Sequence, residues 1–243
     1  MLRPYQTKLI DDVRAQWRAG HANVLMQLAT GGGKTKILSE IVRSEKDFSF
    51  VIAHRSELVS QISLALARDG VAHNLICSTP DKRIIAQFHT LAVGRVLYDP
   101  DAPVTVASVD TLIRREGLER LFERVKLWVI DEGHHVLRGN KWGKAVAQFT
   151  HPRCRGLLPT ATPSRCDKKG LGRHADGVAD VMIEGPGAGE LMAAGFLTPY
   201  KVAIADSHLE RFLGKVGASG DWSTSAMRDA VENSEIVGDV ARS

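Results

Sequence analysis

The feature that most narrows what this chain can fold into is an apolar run, Val24-Leu25-Met26-Gln27-Leu28. It passes straight into Ala29-Thr30-Gly31-Gly32-Gly33-Lys34-Thr35, and then into Ile37, Leu38, Ile41 and Val42 at helical spacing. A buried strand, a glycine-rich turn and a helix in immediate succession are the parts of a phosphate-holding loop. Glycines let the N–H groups of a tight turn converge on phosphate oxygens, and the N-terminus of the following helix adds positive potential. In such a loop Lys34 neutralises the β- and γ-phosphates of a nucleotide and Thr35 ligates Mg²⁺. Thr30, Gly31, Gly32, Gly33, Lys34 and Thr35 are therefore the candidate nucleotide-binding residues. The strict pattern asks for glycine where Leu28 stands, so this loop is a variant form.

The rest of the chain continues the same alternation. Apolar runs over residues 23–28, 48–53, 104–107, 127–130 and 155–158 are separated by stretches with three- and four-residue spacing, such as Leu58, Ile62, Ala65 and Leu66. Strands that read as unbroken apolar runs are buried on both faces, which predicts a mostly parallel, doubly wound α/β sheet. After about Thr162 the pattern weakens. Gly170, Gly172, Gly177, Gly185, Gly187 and Gly189 mark a loop-rich excursion, with a short strand expected at Ile183 and a short helix over 190–194. A further strand over 200–204 and helical periodicity through Met227, Val231 and Ile236 are expected in the tail.

Composition excludes little. With 243 residues, 44% hydrophobic and 25% charged, the chain suits an ordinary globular domain, and its net charge of +4 permits a nucleic-acid partner without requiring one. Cys77, Cys154 and Cys166 form no C-x-x-C pair, so they predict idle thiols in a reducing cytoplasm rather than zinc or disulfides. The N-terminus is not a signal peptide and no apolar run approaches membrane-spanning length, so a cytoplasmic protein is expected.

A second chemical feature is Leu127-Trp128-Val129-Ile130-Asp131-Glu132, an apolar strand ending in two carboxylates. Phosphoryl transfer needs one acid at a strand end beside the phosphate loop to hold Mg²⁺, and a base to orient or deprotonate water. Asp131 suits the metal and Glu132 the base; with Lys34 they form the candidate catalytic set. His134 and His135 follow at a spacing that does not match a zinc site, so a structural or coupling role is expected.

Taken in order, these segments resemble the motifs of the first motor domain of superfamily 2 DEAD/DEAH-box helicases. Leu2-Arg3-Pro4-Tyr5-Gln6 is similar to the family's adenine-contacting element, which implies Gln6 as the base-reading residue. Residues 29–35 resemble the family's own form of the phosphate loop. Residues 51–58 and 106–112 are similar to motifs Ia and Ib, Asp131-Glu132-Gly133-His134 is a DEAH-box variant with Gly133 where alanine is usual, and Thr160-Ala161-Thr162-Pro163 is similar to motif III. Residues 160–167 and Gly195-Phe196-Leu197 resemble most the bacterial and phage group around the type III restriction enzyme motor subunit.

The resemblance implies a RecA-like fold, ATP and Mg²⁺, and a nucleic-acid strand, DNA ahead of RNA, lying across the domain. It implies Arg55, Ser108 and Thr111 near that strand, and His134, Thr160 and Thr162 as coupling residues. Read on their own, Arg55 is equally an exposed structural arginine, and Ser108 and Thr111 are equally helix N-caps. The organisation expected is an ATP-binding domain over 1–165 and a glycine-rich, helical extension over 166–243. Residues 236–240 resemble the lead-in to a second RecA-like domain, supplied in cis or in trans. An ATP hydrolase of the helicase type, weak or inactive in isolation, is the expected activity. A binding module that holds nucleotide without turnover is the alternative.

Overall fold

Each of the apolar runs becomes a strand in the computed structural model, which describes residues 2–53, 55–164, 169–199 and 224–232. In chain order the elements are α1 (Pro4–Arg18), β1 (Asn23–Gln27), α2 (Lys34–Ser44), β2 (Phe48–Ala53), α3 (Ser56–Arg68), β3 (Asn74–Ile76) and α4 (Thr79–Val93). There follow β4 (Val104–Ser108), α5 (Val109–Leu112), α6 (Glu119–Phe122), β5 (Val125–Ile130), α7 (Lys141–Val146), β6 (Arg155–Thr160), β7 (Val181–Glu184), α8 (Ala188–Ala193) and α9 (Thr224–Glu232). The strand expected over 200–204 and the lead-in over 236–240 lie outside the described residues, as do Arg165, Cys166 and Asp167.

The strands form one seven-stranded sheet in the order β3-β4-β2-β5-β6-β1-β7. Every pair is parallel. Because successive side chains on a strand point to opposite faces, each strand feeds two cores. Met26, Val51, Val129 and Leu157 pack on the α1–α4 and α8 side, whereas Leu25, Phe50, Trp128 and Leu158 pack on the α5–α7 side. This is the doubly wound arrangement that the unbroken apolar runs imply.

Several boundaries run past the apolar runs, for local reasons. β5 starts at Val125 because Lys126, which interrupts the run, reaches out to an ion pair with Asp47 at 2.8 Å. β6 continues to Thr160 because Pro159 and Thr160 pair with Met26 and Gln27. β7, from beyond residue 165, pairs with β1 from Val24↔Val181 to Gln27↔Glu184, so the sheet draws strands from both sides of that residue. β3 and α4 were not expected from the apolar pattern. No helix among the described residues is long and apolar enough to cross a membrane. Burial pushes the thiols of Cys77 and Cys154 up to about 11, which leaves both unreactive at neutral pH.

Candidate nucleotide and nucleic-acid site

Parallel strands share one carboxyl edge, where ligands of such sheets gather. β1 runs into the glycine loop there, β2 into Arg55, β4 into Ser108, β5 into Asp131 and Glu132, and β6 into Thr162. The sheet therefore brings every sequence-predicted site residue to that edge, apart from Gln6, which reaches it from α1.

The loop is shaped by its glycines. Gly31 and Gly33 have φ of 78° and 87°, a left-handed conformation that side chains rarely adopt. The N–H of Gly32 donates to the Ala29 carbonyl at 3.0 Å and closes the turn. The N–H groups of Gly31, Gly33, Lys34 and Thr35 have no acceptor among the described residues, as a phosphate cradle requires. Lys34 Nζ lies back on the Leu28 carbonyl at 3.4 Å. Thr30 is exposed, and the hydroxyl of Thr35 is free among the described residues.

Gln6 is only 4% exposed. Its Nε2 donates to the Gly32 carbonyl at 3.0 Å, and its Oε1 accepts from the Arg3 N–H at 2.9 Å. The residue thus braces the loop from behind. Tyr5 joins it, with Oη donating to the same Gly32 carbonyl at 2.8 Å. Sequence reasoning assigned no role to Tyr5. Its partner is 27 residues away, and nothing in the local pattern signals that contact.

Across the edge, Lys34 acts electrostatically on both Asp131 and Glu132. Burial, reinforced by the neighbouring Glu132 charge, raises Asp131 above its ordinary value. One oxygen of Asp131 accepts from the Glu132 N–H at 3.1 Å, and the other has no partner among the described residues. A half-buried carboxylate with a free oxygen beside a second carboxylate suits a divalent cation, which would relieve both the desolvation and the like-charge repulsion. Asp131, with its free oxygen, and the Thr35 hydroxyl are the groups at this edge that could hold such a cation.

Glu132 moves the other way. A hydrogen bond from His134 lowers it below its ordinary value, against the effect of burial. Its backbone lies at φ 57° and ψ 55°, uncommon for a residue with a side chain. A one-turn 3-10 helix, Gly133–His135, follows. A Cβ on Gly133 would stand 2.4 Å from Leu158 Cβ, so the box can lie on β6 only with glycine here. That close approach brings His134 Nδ1 within 2.8 Å of Thr160 Oγ1 and 3.3 Å of Glu132 Oε2. Thr160 is fully buried, and its hydroxyl donates to the Thr162 carbonyl at 3.1 Å while accepting the Thr162 N–H at 3.2 Å. With the Thr160 proton on that carbonyl, Oγ1 accepts from Nδ1–H of His134, the same proton that faces Glu132 Oε2, so the two acceptors share it. The acidic pair and the motif on β6 are therefore joined through one imidazole. A cavity of about 560 Å³ opens between the loop and Thr162, lined by Thr30, Thr162 and Leu197 among others.

Arg55 is exposed at the N-cap of α3 and makes no side-chain bond among the described residues. Ser108 takes the N-cap position of α5, yet its hydroxyl forms no cap bond. Thr111 lies inside that short helix. Next to it, Asp110 pairs with Lys141 at 2.9 Å, which ties α5 to α7. Of the tryptophans, Trp128 and Trp142 are buried in the core, and Trp17 packs under the Arg155 guanidinium.

The sequence model of the family described as "Type III restriction enzyme, res subunit" matches residues 1–165. The chain is similar to the putative ATP-dependent helicase IRC3 of Saccharomyces cerevisiae, with 31% identity over 192 residues that cover 72% of this chain and 25% of that protein. It is also similar to the putative mitochondrial ATP-dependent helicase irc3 of Schizosaccharomyces pombe, at 30% over 181 residues, covering 70% of this chain and 27% of that one. The chain thus spans about a quarter of the length of these relatives. Among solved structures it resembles the UvsW helicase from bacteriophage T4, with a TM-score of 0.52 and 13% identity over 75% of this chain and 59% of the other. It also resembles a nuclease-deletion mutant of the type ISP restriction-modification enzyme LlaGI in complex with a DNA substrate mimic, with a TM-score of 0.58 and 14% identity over 81% and 21%. At those identities the likeness is one of fold, that of RecA-like helicase domains.

Proposed function

This chain belongs to the type III restriction enzyme res-subunit family, and on that premise we propose that it is the ATP-binding first motor domain of a nucleic-acid helicase or translocase, with DNA as the expected track. The observation that carries the reading is that the glycine loop with Lys34 and the pair Asp131 and Glu132 leave the same edge of the sheet, at the ends of β1 and β5 on either side of β6, with His134 set between Glu132 and Thr160. The loop N–H groups and Lys34 hold the phosphates. Thr35 and Asp131 would hold Mg²⁺, which would supply positive charge to the phosphates. Glu132, kept ionised by His134, orients and deprotonates the attacking water. A change at Glu132 as the nucleotide turns over passes through His134 to Thr160 and Thr162. Arg55, Ser108 and Thr111, on the same edge, are the residues proposed to meet the strand backbone.

Residues 1–165 are the proposed core of the ATP-binding domain, and 166–243 the approach to a second RecA-like domain. A second domain commonly supplies an arginine finger worth several powers of ten in turnover. This chain by itself is therefore expected to bind nucleotide, to hydrolyse it slowly and not to unwind duplexes. The cytoplasm is its proposed compartment.

The test is ATP hydrolysis and Mg²⁺-dependent ATP binding by the purified chain, with single- and double-stranded DNA and RNA, against Lys34→Ala. Strand-stimulated hydrolysis lost in Lys34→Ala supports the motor and names the track. Binding without turnover, also lost in the variant, supports a half-site completed by another domain. ATP binding that ignores Lys34 contradicts the reading.

A further inference from the structure

The carbonyl of Gly32 accepts two hydrogen bonds, from Tyr5 Oη at 2.8 Å and from Gln6 Nε2 at 3.0 Å. A trans peptide points its C=O and its N–H in opposite directions. Pinning the Gly32 oxygen on the α1 side therefore aims the N–H of Gly33 at the other side, among the unsatisfied N–H groups of the cradle. The direction of the Tyr5 proton is itself fixed. Arg3 Nη1 donates to Tyr5 Oη at 3.1 Å, so the hydroxyl proton is left for Gly32.

Arg3 and Tyr5 are in turn held from the far end of the described sheet region. Phe196, in the turn after α8, lies edge-on to the Tyr5 ring with centroids 5.3 Å apart. The Arg3 guanidinium sits 5.1 Å from the Phe196 ring centre, and its Nη1 also donates to the Phe196 carbonyl at 3.2 Å. The next residue, Leu197, touches the loop directly: its Cδ2 stands 2.8 Å from where a Cβ on Gly31 would be. The turn at 195–197 thus grips the glycine loop at two points.

We propose that Tyr5 is a positioning residue for the phosphate cradle, set by Arg3 and Phe196, so that the hold on the nucleotide's phosphates depends on where the turn after α8 sits. This rests on the reading of residues 29–35 as a phosphate loop, and it goes beyond that reading by making the exit from α8 a lever on it. A displacement of that turn withdraws Phe196 from Tyr5 and Arg3, leaves the Gly32 carbonyl held by Gln6 alone, and so loosens the aim of the Gly33 N–H into the cradle. Tyr5 acts here through the peptide and not through the base.

The experiment compares dissociation constants of the purified chain for ATP and for inorganic pyrophosphate, by calorimetry or by competition with a fluorescent nucleotide. Tyr5→Phe removes only the hydroxyl, and with it both the bond to the Gly32 carbonyl and the acceptor for Arg3; the lost hold on Gly32, one neutral hydrogen bond, should weaken both ligands by a similar factor of about five. Phe196→Ala should weaken both in the same sense, Phe196→Tyr should restore the parent's affinity, and the double variant Tyr5→Phe with Phe196→Ala should be no weaker than the worse single variant. Thermal melts establish that each variant is folded, and Tyr5→Phe carries the test alone if Phe196→Ala does not fold. Unchanged pyrophosphate affinity in Tyr5→Phe overturns the proposal, whether ATP is also unchanged or is weakened through a contact with the base. A parent whose pyrophosphate and ATP binding does not depend on Lys34 has a different fault: the phosphate-loop reading fails, and the inference fails with it.

Discussion

His134 meets Thr160 at the carboxyl edge of the sheet, whereas His73 and His89 share Ser63 between α3 and α4. In the buried case Leu97 N–H donates to His89 Nδ1 at 3.2 Å, so His89 Nε2 carries the proton and meets Ser63 Oγ at 3.0 Å. Ser63 then donates to His73 Nε2 at 2.6 Å, and His73 Nδ1 donates to the Val71 carbonyl at 2.8 Å. All three side chains are fully buried, and the chain of bonds runs one way from an amide to a carbonyl with no atom left over. The edge network ends differently: it reaches the Glu132 carboxylate, whose side chain is 36% exposed, and next to it an Asp131 oxygen without a partner. The same residue types therefore make a closed structural circuit in one place and an open chemical one in the other. What separates them is burial and the presence of unsatisfied atoms, not the identity of the residues.

The sharpest way to test that contrast is to remove charge from the open side alone. Glu132→Gln keeps the size and the hydrogen-bonding capacity of the side chain but cannot take a proton. Hydrolysis should fall by at least about 100-fold, as expected for loss of a general base, while ATP binding stays near the parent's. The assay is single-turnover hydrolysis beside equilibrium binding, with whatever second domain is needed for turnover supplied. Equal loss of binding and turnover would mean that Glu132 holds the ligand and does not act on water.

The closed side predicts a pH effect of the next magnitude. Burial lowers His73 from 6.5 to about 4, and lowers His89 in the same sense. The unfolded chain then binds more protons than the folded one between the folded and unfolded values, so stability falls as pH drops through 6.5 and levels off below the folded value. His73 alone accounts for about 2 kcal/mol by pH 5 and about 3 kcal/mol in full. Guanidinium unfolding at pH 7.5, 6 and 5 reads this directly. A free energy that is flat over that range contradicts a neutral, enclosed pair.

The two networks also differ in how far they could be seen beforehand. His134 stands in a contiguous motif and was singled out from it. His73 and His89 are sixteen residues apart on β3's approach and on α4, and β3 itself spans only Asn74–Ile76. α4 hides its periodicity because Ile84, Phe88 and Leu91 are exposed next to buried Ile85 and His89, so apolar residues mark no single face. The longer strands, the glycine loop and the acidic pair were legible because each is a local pattern dictated by its own burial or backbone geometry. Tyr5 on Gly32, Phe196 on Tyr5 and Thr160 under His134 bridge elements that only the folded sheet brings together, so one sequence carries no signal for them.

The contact between Gly133 and Leu158 is the hinge of that difference, because it sets His134 down on β6. Gly133→Ala installs the residue usual at this place in DEAH boxes, yet its Cβ would overlap Leu158. Overpacking of this kind should cost about 2 kcal/mol and lift the imidazole away from Thr160. Denaturant unfolding gives the first quantity, and NMR of the His134 ring gives the second. A stable variant with an unchanged ring signal would show that β6 yields without cost and that Gly133 is not what fixes the approach.

The smallest effect is expected where the open network is cut in its middle. Thr160→Val preserves the shape of a fully buried residue and removes the hydroxyl that accepts from His134 and bridges to the Thr162 backbone. Folding stability should drop by about 1 kcal/mol, since the Thr162 N–H and carbonyl lie near the surface and can turn to water. The informative change is a ratio. If the imidazole carries information between Glu132 and the β6 motif, basal hydrolysis stays close to the parent's while its stimulation by a nucleic-acid strand is lost, because the strand acts through Thr162 and not through the carboxylate itself. If basal and stimulated rates instead fall together, His134 needs Thr160 only to be held in place for Glu132. In that case the edge network, like the buried one, is structural up to the carboxylate where it ends.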